Sequence, residues 1–319
     1  MYKLPRASAA LACAAAALLG GTVGAQAPAE APAQQTDAAT PDQPPDEVIV
    51  RGRRMSDVRA ELQKYVNDFV TQVARPPMGA GYARWDGKVC MGVTNLKEDA
   101  AQYLVDRMSR VAADVGLKPG EPGCVPQVIV IFTTDGQAMA HQMVEQDAHL
   151  FRPFGPVAGV NLNYGALDDF EQSDRAVRWW HVSLPVSANS GVKAVTMAGD
   201  KSAPVIAVSG PSRIHGGIVD RMLYTLIIVD SKKLTGTTWE QLGDYLSLVA
   251  LAQIDPTAKP ADFDSILNVF SNPRAYSGLT DWDRSYLKAL YSYDQERTPR
   301  MQVNELVSKM TRQELDAKE

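Results

Sequence analysis

Histidine and cysteine are scarce in this chain: 4 of its 319 residues are histidine and 3 are cysteine. The cysteines have no Cys-x-x-Cys spacing, so thiol redox chemistry is not expected. A Gly-x-Ser-x-Gly nucleophile elbow is also missing. No apolar run approaches the roughly 20 residues that a membrane-spanning helix needs. These absences argue against a thiol oxidoreductase, a serine hydrolase of the elbow type and an integral helical membrane protein.

Basic residues are outnumbered by acidic ones. The chain has 32 Lys and Arg against 37 Asp and Glu, which gives a formal net charge of −5. Nucleic acids and anionic membranes attract basic patches. The sequence therefore predicts no nucleic-acid partner, and we expect no cofactor.

The amino terminus has the order of a secretory signal peptide. Lys3 and Arg6 precede an alanine- and leucine-rich run over residues 7–19, and small residues follow at 23–25. This charged, apolar, small-residue order predicts export to the periplasm, with cleavage after Ala25. Cleavage after Ala27 is the alternative, although it would place Pro28 first in the mature chain.

The segment after the signal predicts a linker. It is rich in alanine, proline, glutamine and acidic residues without an apolar period, so it cannot bury enough surface to offset its ordering entropy. We therefore expect a signal peptide at residues 1–25, a disordered linker at 26–54 and a single domain at 55–319.

The three cysteines have different expected fates. Cys13 lies within the signal peptide and leaves with it, because cleavage before Cys13, as in a lipoprotein, would leave too short an apolar core. Cys90 and Cys124 remain in the mature chain. In an oxidising compartment two such cysteines predict one disulfide, with two buried thiols as the alternative.

Periodicity predicts an α+β fold with a mixed sheet and a C-terminal helical lobe. Apolar residues recur at helical spacing over 58–73, and Asn95 with Glu98 predicts the start of a helix that Gly116 ends. Thr237 with Glu240 predicts a capping box for a helix that is apolar on most sides and runs to about residue 254. The remaining predicted elements are strands at 88–93, 128–132, 178–186, 205–208 and 222–229, and helices at 262–269, 280–292 and 300–315.

Metal chemistry could only use a few side chains. His141, Glu145 and His149 have i, i+4, i+8 spacing and could share a helix face, but the outer two would be about 12 Å apart along the axis. A solvated polar face opposite Met139 and Met143 is the simpler interpretation. His181 is predicted to lie on the solvent side of its strand. His215 lies in a glycine-rich stretch that predicts a turn, because no helix with a lysine follows.

Paired carboxylates and aromatics have equally plain interpretations. Asp168–Asp169 and Asp281/Asp283 are paired acids, and Asp283 three residues after Thr280 suits a helix start without catalysis. Trp179–Trp180 could stack a ligand, but neighbouring strand residues face opposite sides, so at most one is expected to be exposed. No catalytic residue is predicted from these pairs.

The C-terminal third resembles the zincin superfamily of metallopeptidases, especially its metzincin-like branch. The motifs that carry this resemblance are the strand at 226–230, the helix beginning at 238–240, the turn Ser265-Ile266-Leu267-Asn268 and the segment Leu279-Thr280-Asp281-Trp282-Asp283, which continues to Leu290-Tyr291. In that family these are a strand, a buried helix with the zinc motif His-Glu-x-x-His, a Ser-Ile-Met turn and a Leu-Thr-x-x-Asp helix. The match in order and spacing covers roughly 70 residues and implies a zincin-like fold.

The departure from the family is in the buried helix. Tyr245, Leu246 and Val249 occupy the positions of the first histidine, the glutamate and the second histidine. None of the three can ligate zinc or act as the base for a metal-bound water. The resemblance therefore implies a degenerate scaffold without metal.

The whole chain also resembles an uncharacterised group of exported alphaproteobacterial proteins. The shared pieces are Arg84-Trp85, Val89-Cys90, Pro122-Gly123-Cys124 and Ser212-Arg213-Ile214. We expect a non-catalytic periplasmic protein that binds an unknown envelope protein or small ligand through the old cleft. The alternative is a periplasmic hydrolase with a relocated site, using His141, Glu145 or His215.

Overall fold

The computed structural model describes residues 54–74, 76, 80–151, 164–194 and 217–317. The helices in those residues are α1 (Met55–Gln72), α2 (Glu98–Asp114), α3 (Gly136–Gln146), α4 (Tyr164–Gln172), α5 (Trp239–Leu251), α6 (Asp281–Ser292) and α7 (Pro299–Asp316). The strands are β1 (Lys88–Val89), β2 (Met91–Thr94), β3 (Lys118–Pro119), β4 (Val128–Thr133), β5 (Val177–Ser187) and β6 (Ile218–Asp230). The α+β class is confirmed.

The main sheet has the strand order β2-β4-β6-β5. Strands β2, β4 and β6 are parallel to one another, whereas β5 runs antiparallel to β6 and forms one edge. Strands β1 and β3 make a separate two-stranded parallel sheet. The mixed sheet is therefore present, and its antiparallel member is an edge strand.

Both faces of this sheet are covered, because side chains on successive strand residues enter different cores. Val130, Trp179 and Ile227 belong to the larger core, which also takes in apolar residues of α1, α2, α5, α6 and α7. Trp180 and Ile228 belong to a smaller core with residues of α3 and α4. Cover on both faces explains why β6 is buried without a break from Thr225 to Asp230.

Helix α5 is buried throughout. Thr238 and Gln241 form its capping box, one residue later than the predicted Thr237 and Glu240. Every residue from Gln241 to Leu251 is buried, as expected for a helix that is apolar on most sides. The predicted burial of this helix is confirmed, although its start is corrected by one position.

Three other predicted boundaries are wrong. The strand over 88–93 divides into β1 and β2 at Cys90. Helix α2 is capped by Lys97 without a side-chain bond, and Asn95 instead has a positive φ of 61°. The helix predicted at 262–269 is replaced by two short 3-10 turns, Pro260–Asp262 and Ile266–Asn268. The strand predicted at 205–208 lies outside the described residues.

The predicted disulfide between Cys90 and Cys124 is confirmed. Their Cα atoms are 6.2 Å apart across a sequence separation of 34 residues. The bond joins the break between β1 and β2 to the turn that precedes β4, so it fixes the ends of the α2 crossover. Among the described residues, no helix is both long and apolar enough to cross a membrane.

Candidate functional site

Strand β5 and helix α5 face each other in matched steps. The rings of Trp179 and Tyr245 have centroids 6.2 Å apart, and His181 Nε2 lies 2.7 Å from the carbonyl oxygen of Val249. Strand residues two apart thus meet helix residues four apart, which is the spacing of one face of each element. The edge strand therefore lies directly over the positions that the zincin resemblance singles out.

Tyr245, which the resemblance aligns with the first histidine, lines a cleft. Its ring packs edge-on against Phe270 at 4.8 Å, and its hydroxyl makes no hydrogen bond to a described residue. Burial raises the pKa of this phenol. Tyr245 is thus a neutral aromatic wall with an uncommitted hydroxyl.

Leu246 and Val249 are packed into the interior. Both are fully buried in the larger core. The carbonyl of Val249 is committed to His181. Neither side chain offers a donor or a ligand, so the second and third positions of the resembled motif contribute packing.

The cleft beside Tyr245 has a volume of about 290 Å³. Trp179, Tyr245 and Phe270 give it aromatic walls, and it opens between the start of β5 and the segment after α5. Trp179 is held by a hydrogen bond of 2.9 Å from its indole Nε1 to the carbonyl of Ile254, which also lines the cleft. The walls are therefore fixed by contacts that do not need a ligand.

Charged side chains border this cleft, but most are already paired. Arg175 donates to both carboxylate oxygens of Asp169, at 2.8 and 2.9 Å. Asp174 binds Lys233, and Asp255 accepts from the backbone and hydroxyl of Thr257. The cleft therefore combines aromatic walls with a polar rim, in which Arg175 and Asp174 have partners of opposite charge.

The backbone of β5 also faces the cleft. Asp230 donates its N–H to the Ala176 carbonyl at 2.8 Å, which makes that pair a hydrogen-bonded one in the antiparallel ladder. The alternation of such ladders turns the N–H and C=O groups of Val177 and Trp179 away from β6. No described residue bonds these outward groups. Both residues line the cleft and are 1% and 4% exposed, so this unpaired strand edge borders the cleft and is nearly closed from solvent.

His181 corrects a sequence prediction. It is 4% exposed and faces α5, whereas its place opposite an apolar row predicted the solvent side. Burial lowers its pKa to about 4, so it is neutral near pH 7. The correction arises because both faces of β5 are covered, and the imidazole is satisfied by a carbonyl on α5.

The predicted histidine row is divided between elements. His141 and Glu145 lie on α3, whereas His149 lies in the following 3-10 turn, Ala148–Leu150. His141 is exposed, and its Nδ1 lies 2.7 Å from Glu171 Oε2, a hydrogen bond that raises the pKa of the imidazole. Within the described residues no three His, Cys, Asp or Glu side chains are grouped as a metal site. His215 lies outside the described residues.

The remaining candidates have structural roles. Asp283 accepts from the Thr280 backbone and completes the capping box of α6, as predicted. Asp169 is the partner of Arg175. Trp179 and Trp180 are both buried, so neither forms an exposed platform. Sequence reasoning missed Phe270 and Ile254 as cleft residues, since neither lies in a motif.

Comparison with known proteins adds no relative. No protein-family model, no curated protein and no solved structure matches this chain. The chemistry of the cleft is therefore the basis for a functional assignment.

Proposed function

We propose that this chain is an exported, non-catalytic envelope protein that binds an extended peptide segment of a partner in the cleft beneath β5. The observation that carries the proposal is the meeting of an aromatic cleft with an unpaired strand edge, at Val177 and Trp179. An extended peptide can add to such an edge through its main chain and place a side chain in the adjoining pocket. No activity beyond binding is assigned.

A degenerate zincin-like scaffold is part of this proposal. The motifs that suggested it are close together: Asp283 accepts from Ser265 Oγ at 2.6 Å and from the Ile266 backbone at 2.8 Å. The Leu-Thr-x-x-Asp helix is thereby tied to the Ser-Ile turn, whose Leu267 lines the cleft. The antiparallel edge strand above a buried helix supports the same scaffold.

We assign no metallopeptidase activity to the residues at the cleft. Tyr245 replaces a histidine, and Leu246 removes the general base of the resembled motif. The carboxylates of Asp174 and Asp255 are engaged by Lys233 and Thr257. A metallopeptidase needs three ligands and a base for the metal-bound water, and these side chains supply neither.

Location in the periplasm rests on the amino-terminal pattern and on the disulfide. Residues 1–25 have the order of a cleavable signal, and a disulfide such as Cys90–Cys124 persists in oxidising compartments. We propose that the mature chain begins at Gln26. N-terminal sequencing of protein purified from cells tests this directly, and an intact Met1 or a lipid-modified Cys13 would contradict it.

Peptide selection tests the binding function. A displayed random-peptide library is panned on the purified mature protein, and affinities of selected peptides are measured by calorimetry. We expect Phe270→Ala to weaken binding by roughly tenfold or more, because it removes a half-buried aromatic wall of the cleft. Trp239→Ala is the matched control, since that ring is 47% exposed and does not line the cleft.

A second set of peptides tests the mode of binding. Methylation of alternate backbone nitrogens should abolish binding in one register and spare it in the other, because only alternate N–H groups face β5. Selection of no peptide, or binding indifferent to Phe270→Ala, would exclude this function. Stoichiometric zinc in the purified protein would favour the hydrolase instead.

A further inference from the structure

Arg178 is a buried cation that does not line the cleft. Its side chain points to the smaller core, on the face of the sheet opposite α5, and the residue is 1% exposed. One guanidinium nitrogen, Nη2, donates to the carbonyl of Ser173 at the end of α4. The other two nitrogens, Nε and Nη1, are buried without a hydrogen-bond partner. Buried charges are normally paired, so this arrangement calls for a counterion.

A third orphaned donor lies beside the guanidinium. The hydroxyl oxygen of Ser173 is buried and likewise has no partner. Because the Ser173 carbonyl binds Arg178, the two side chains belong to one small cluster. The cluster contains N–H and O–H donors, and a water molecule placed there would need acceptors for its own protons. A ligand that only accepts hydrogen bonds suits these donors better.

The start of α3 lies at the same place. A methyl group built on Gly136, the first residue of α3, would lie 3.4 Å from Arg178 Nη1. The amino terminus of a helix carries a partial positive charge and attracts anions. The guanidinium thus lies close to this helix end, where the Asp230 carboxylate already accepts from the Gly136 N–H.

Neighbouring carboxylates do not neutralise Arg178 directly. Asp230 accepts from the backbone N–H groups of Gly136 and Lys232, Asp135 caps Ala138, and Asp174 binds Lys233. None of them forms a salt bridge with Arg178. Desolvation lowers the pKa of the guanidinium, although Asp230 opposes this effect through space.

We propose that Arg178 and Ser173, together with the first turn of α3, form a buried binding site for a small monoatomic anion of the chloride class. The three donors are closed from solvent, and a monoatomic ion needs less space among them than an oxyanion such as phosphate. Ser173 and Arg178 flank residues 174–177, which line the cleft on the other side of the sheet. A bound halide would therefore fix this segment from behind. The site stands independently of peptide binding.

Bromide, a heavier halide with anomalous scattering, locates the site. Crystals of the mature protein grown in gluconate are soaked in bromide, and we expect an anomalous peak within hydrogen-bonding reach of Arg178 and Ser173. A water molecule there, or bromide only at other positions, overturns the proposal.

Solution measurements separate a built site from an adventitious ion. At constant ionic strength, exchange of gluconate for chloride should raise the thermal midpoint of the wild-type protein, whereas phosphate should not. Ser173→Ala and Arg178→Met should weaken the apparent chloride affinity by roughly tenfold or more, since each removes a donor to the anion. Arg110→Met is the control, because that arginine lies exposed on α2.

Two variants are used so that a folding defect in one of them does not prevent the test. If Arg178→Met does not fold, Ser173→Ala decides, as it changes only a hydroxyl. A chloride response that Ser173→Ala leaves unchanged overturns the proposal. A bromide peak without any chloride response in solution means an adventitious ion only, and also overturns it.

Discussion

His181 on the edge strand lies with Nε2 2.7 Å from the carbonyl oxygen of Val249 on the buried helix. This hydrogen bond requires a proton on Nε2, and burial, which lowers the pKa of His181 to about 4, keeps the imidazole neutral near pH 7. The hydrogen bond fixes the position of β5 along α5, at which Tyr245 and Trp179 contact each other and line the cleft. The bond therefore links the stability of the protein to the geometry of its candidate site.

The buried histidine predicts a specific pH dependence. Unfolded His181 titrates near 6.5, whereas the native pKa is about 4. Between these values the unfolded state binds more protons, so the contribution is fully present above pH 6.5 and is lost as the pH falls toward 4. We expect His181→Gln to remove roughly 2–4 kcal/mol of the pH-dependent change in unfolding free energy over this range. Urea unfolding of both proteins at several pH values measures it.

His141→Gln is the control for this experiment. His141 is exposed, and its pKa is raised by Glu171, so its small contribution has the opposite sign and is lost as the pH rises. Asp220 and Asp283, whose pKa values burial raises to about 6, are common to all these proteins and cancel in the comparison. Parallel pH profiles of the wild type and His181→Gln would contradict a neutral buried imidazole.

The ion pair between Arg107 on α2 and Asp244 on α5 predicts a large loss of stability when the arginine is removed. Its Nε and Nη2 donate to both oxygens of Asp244, at 2.6 and 2.8 Å, and the Asp244 side chain is 1% exposed. Arg107→Met leaves that carboxylate buried without its cation, which should cost about 3–5 kcal/mol of unfolding free energy. Arg110→Met on the same helix should change it by less than about 0.5 kcal/mol. Chemical denaturation compares the two variants, and equal effects would mean that the ion pair is not the cause.

The disulfide predicts a stability loss without a change of fold. Replacing Cys90 and Cys124 together by alanine should lower the unfolding free energy by about 2–4 kcal/mol, because the bond restricts the unfolded chain. Urea unfolding of the wild type and the double variant measures the difference. Titration of the unfolded, unreduced protein should find no free thiol in the mature wild type, and two reactive thiols would show that the bond does not form.

Most elements with a clear apolar pattern were predicted from the sequence. Helices α1, α2, α6 and α7 have one apolar face, and β4 and β6 are continuous apolar runs, so composition and spacing suffice. The start of α5 was predicted one residue early, because Thr237 and Glu240 also have the spacing of a capping box. The structure uses Thr238 and Gln241, and Gln241 also binds the Pro273 carbonyl at 2.7 Å.

The cleft could not be read from local pattern. His181 seemed exposed because its partner, Val249, lies 68 residues away, and no local period reports such a bond. Phe270 follows a 3-10 turn rather than the predicted helix, and its contact with Tyr245 depends on how that turn folds back. Long-range packing therefore decides this site, whereas the burial of α5 could be predicted from its composition.

Restoring the zinc motif is the final prediction, and it tests the degenerate scaffold. The triple change is Tyr245→His, Leu246→Glu and Val249→His. Leu246 and Val249 are fully buried, so the change would place a carboxylate and an imidazole in the core without partners. Each unpaired buried polar group costs about 1–3 kcal/mol, and a charge costs more. We expect a loss of several kcal/mol in unfolding free energy, with no stoichiometric zinc and no peptidase activity.

Single variants measure the effect of each of the three substitutions on stability. Tyr245→His should be tolerated best, because Tyr245 lines the cleft and its histidine could be solvated there. Leu246→Glu should be the most damaging, because a buried carboxylate must stay protonated or unfold its surroundings. Thermal unfolding ranks the three proteins, and metal analysis after dialysis against zinc measures occupancy. A stable triple variant that binds one zinc ion would mean that a third ligand exists and that the cleft still holds a metal-binding geometry.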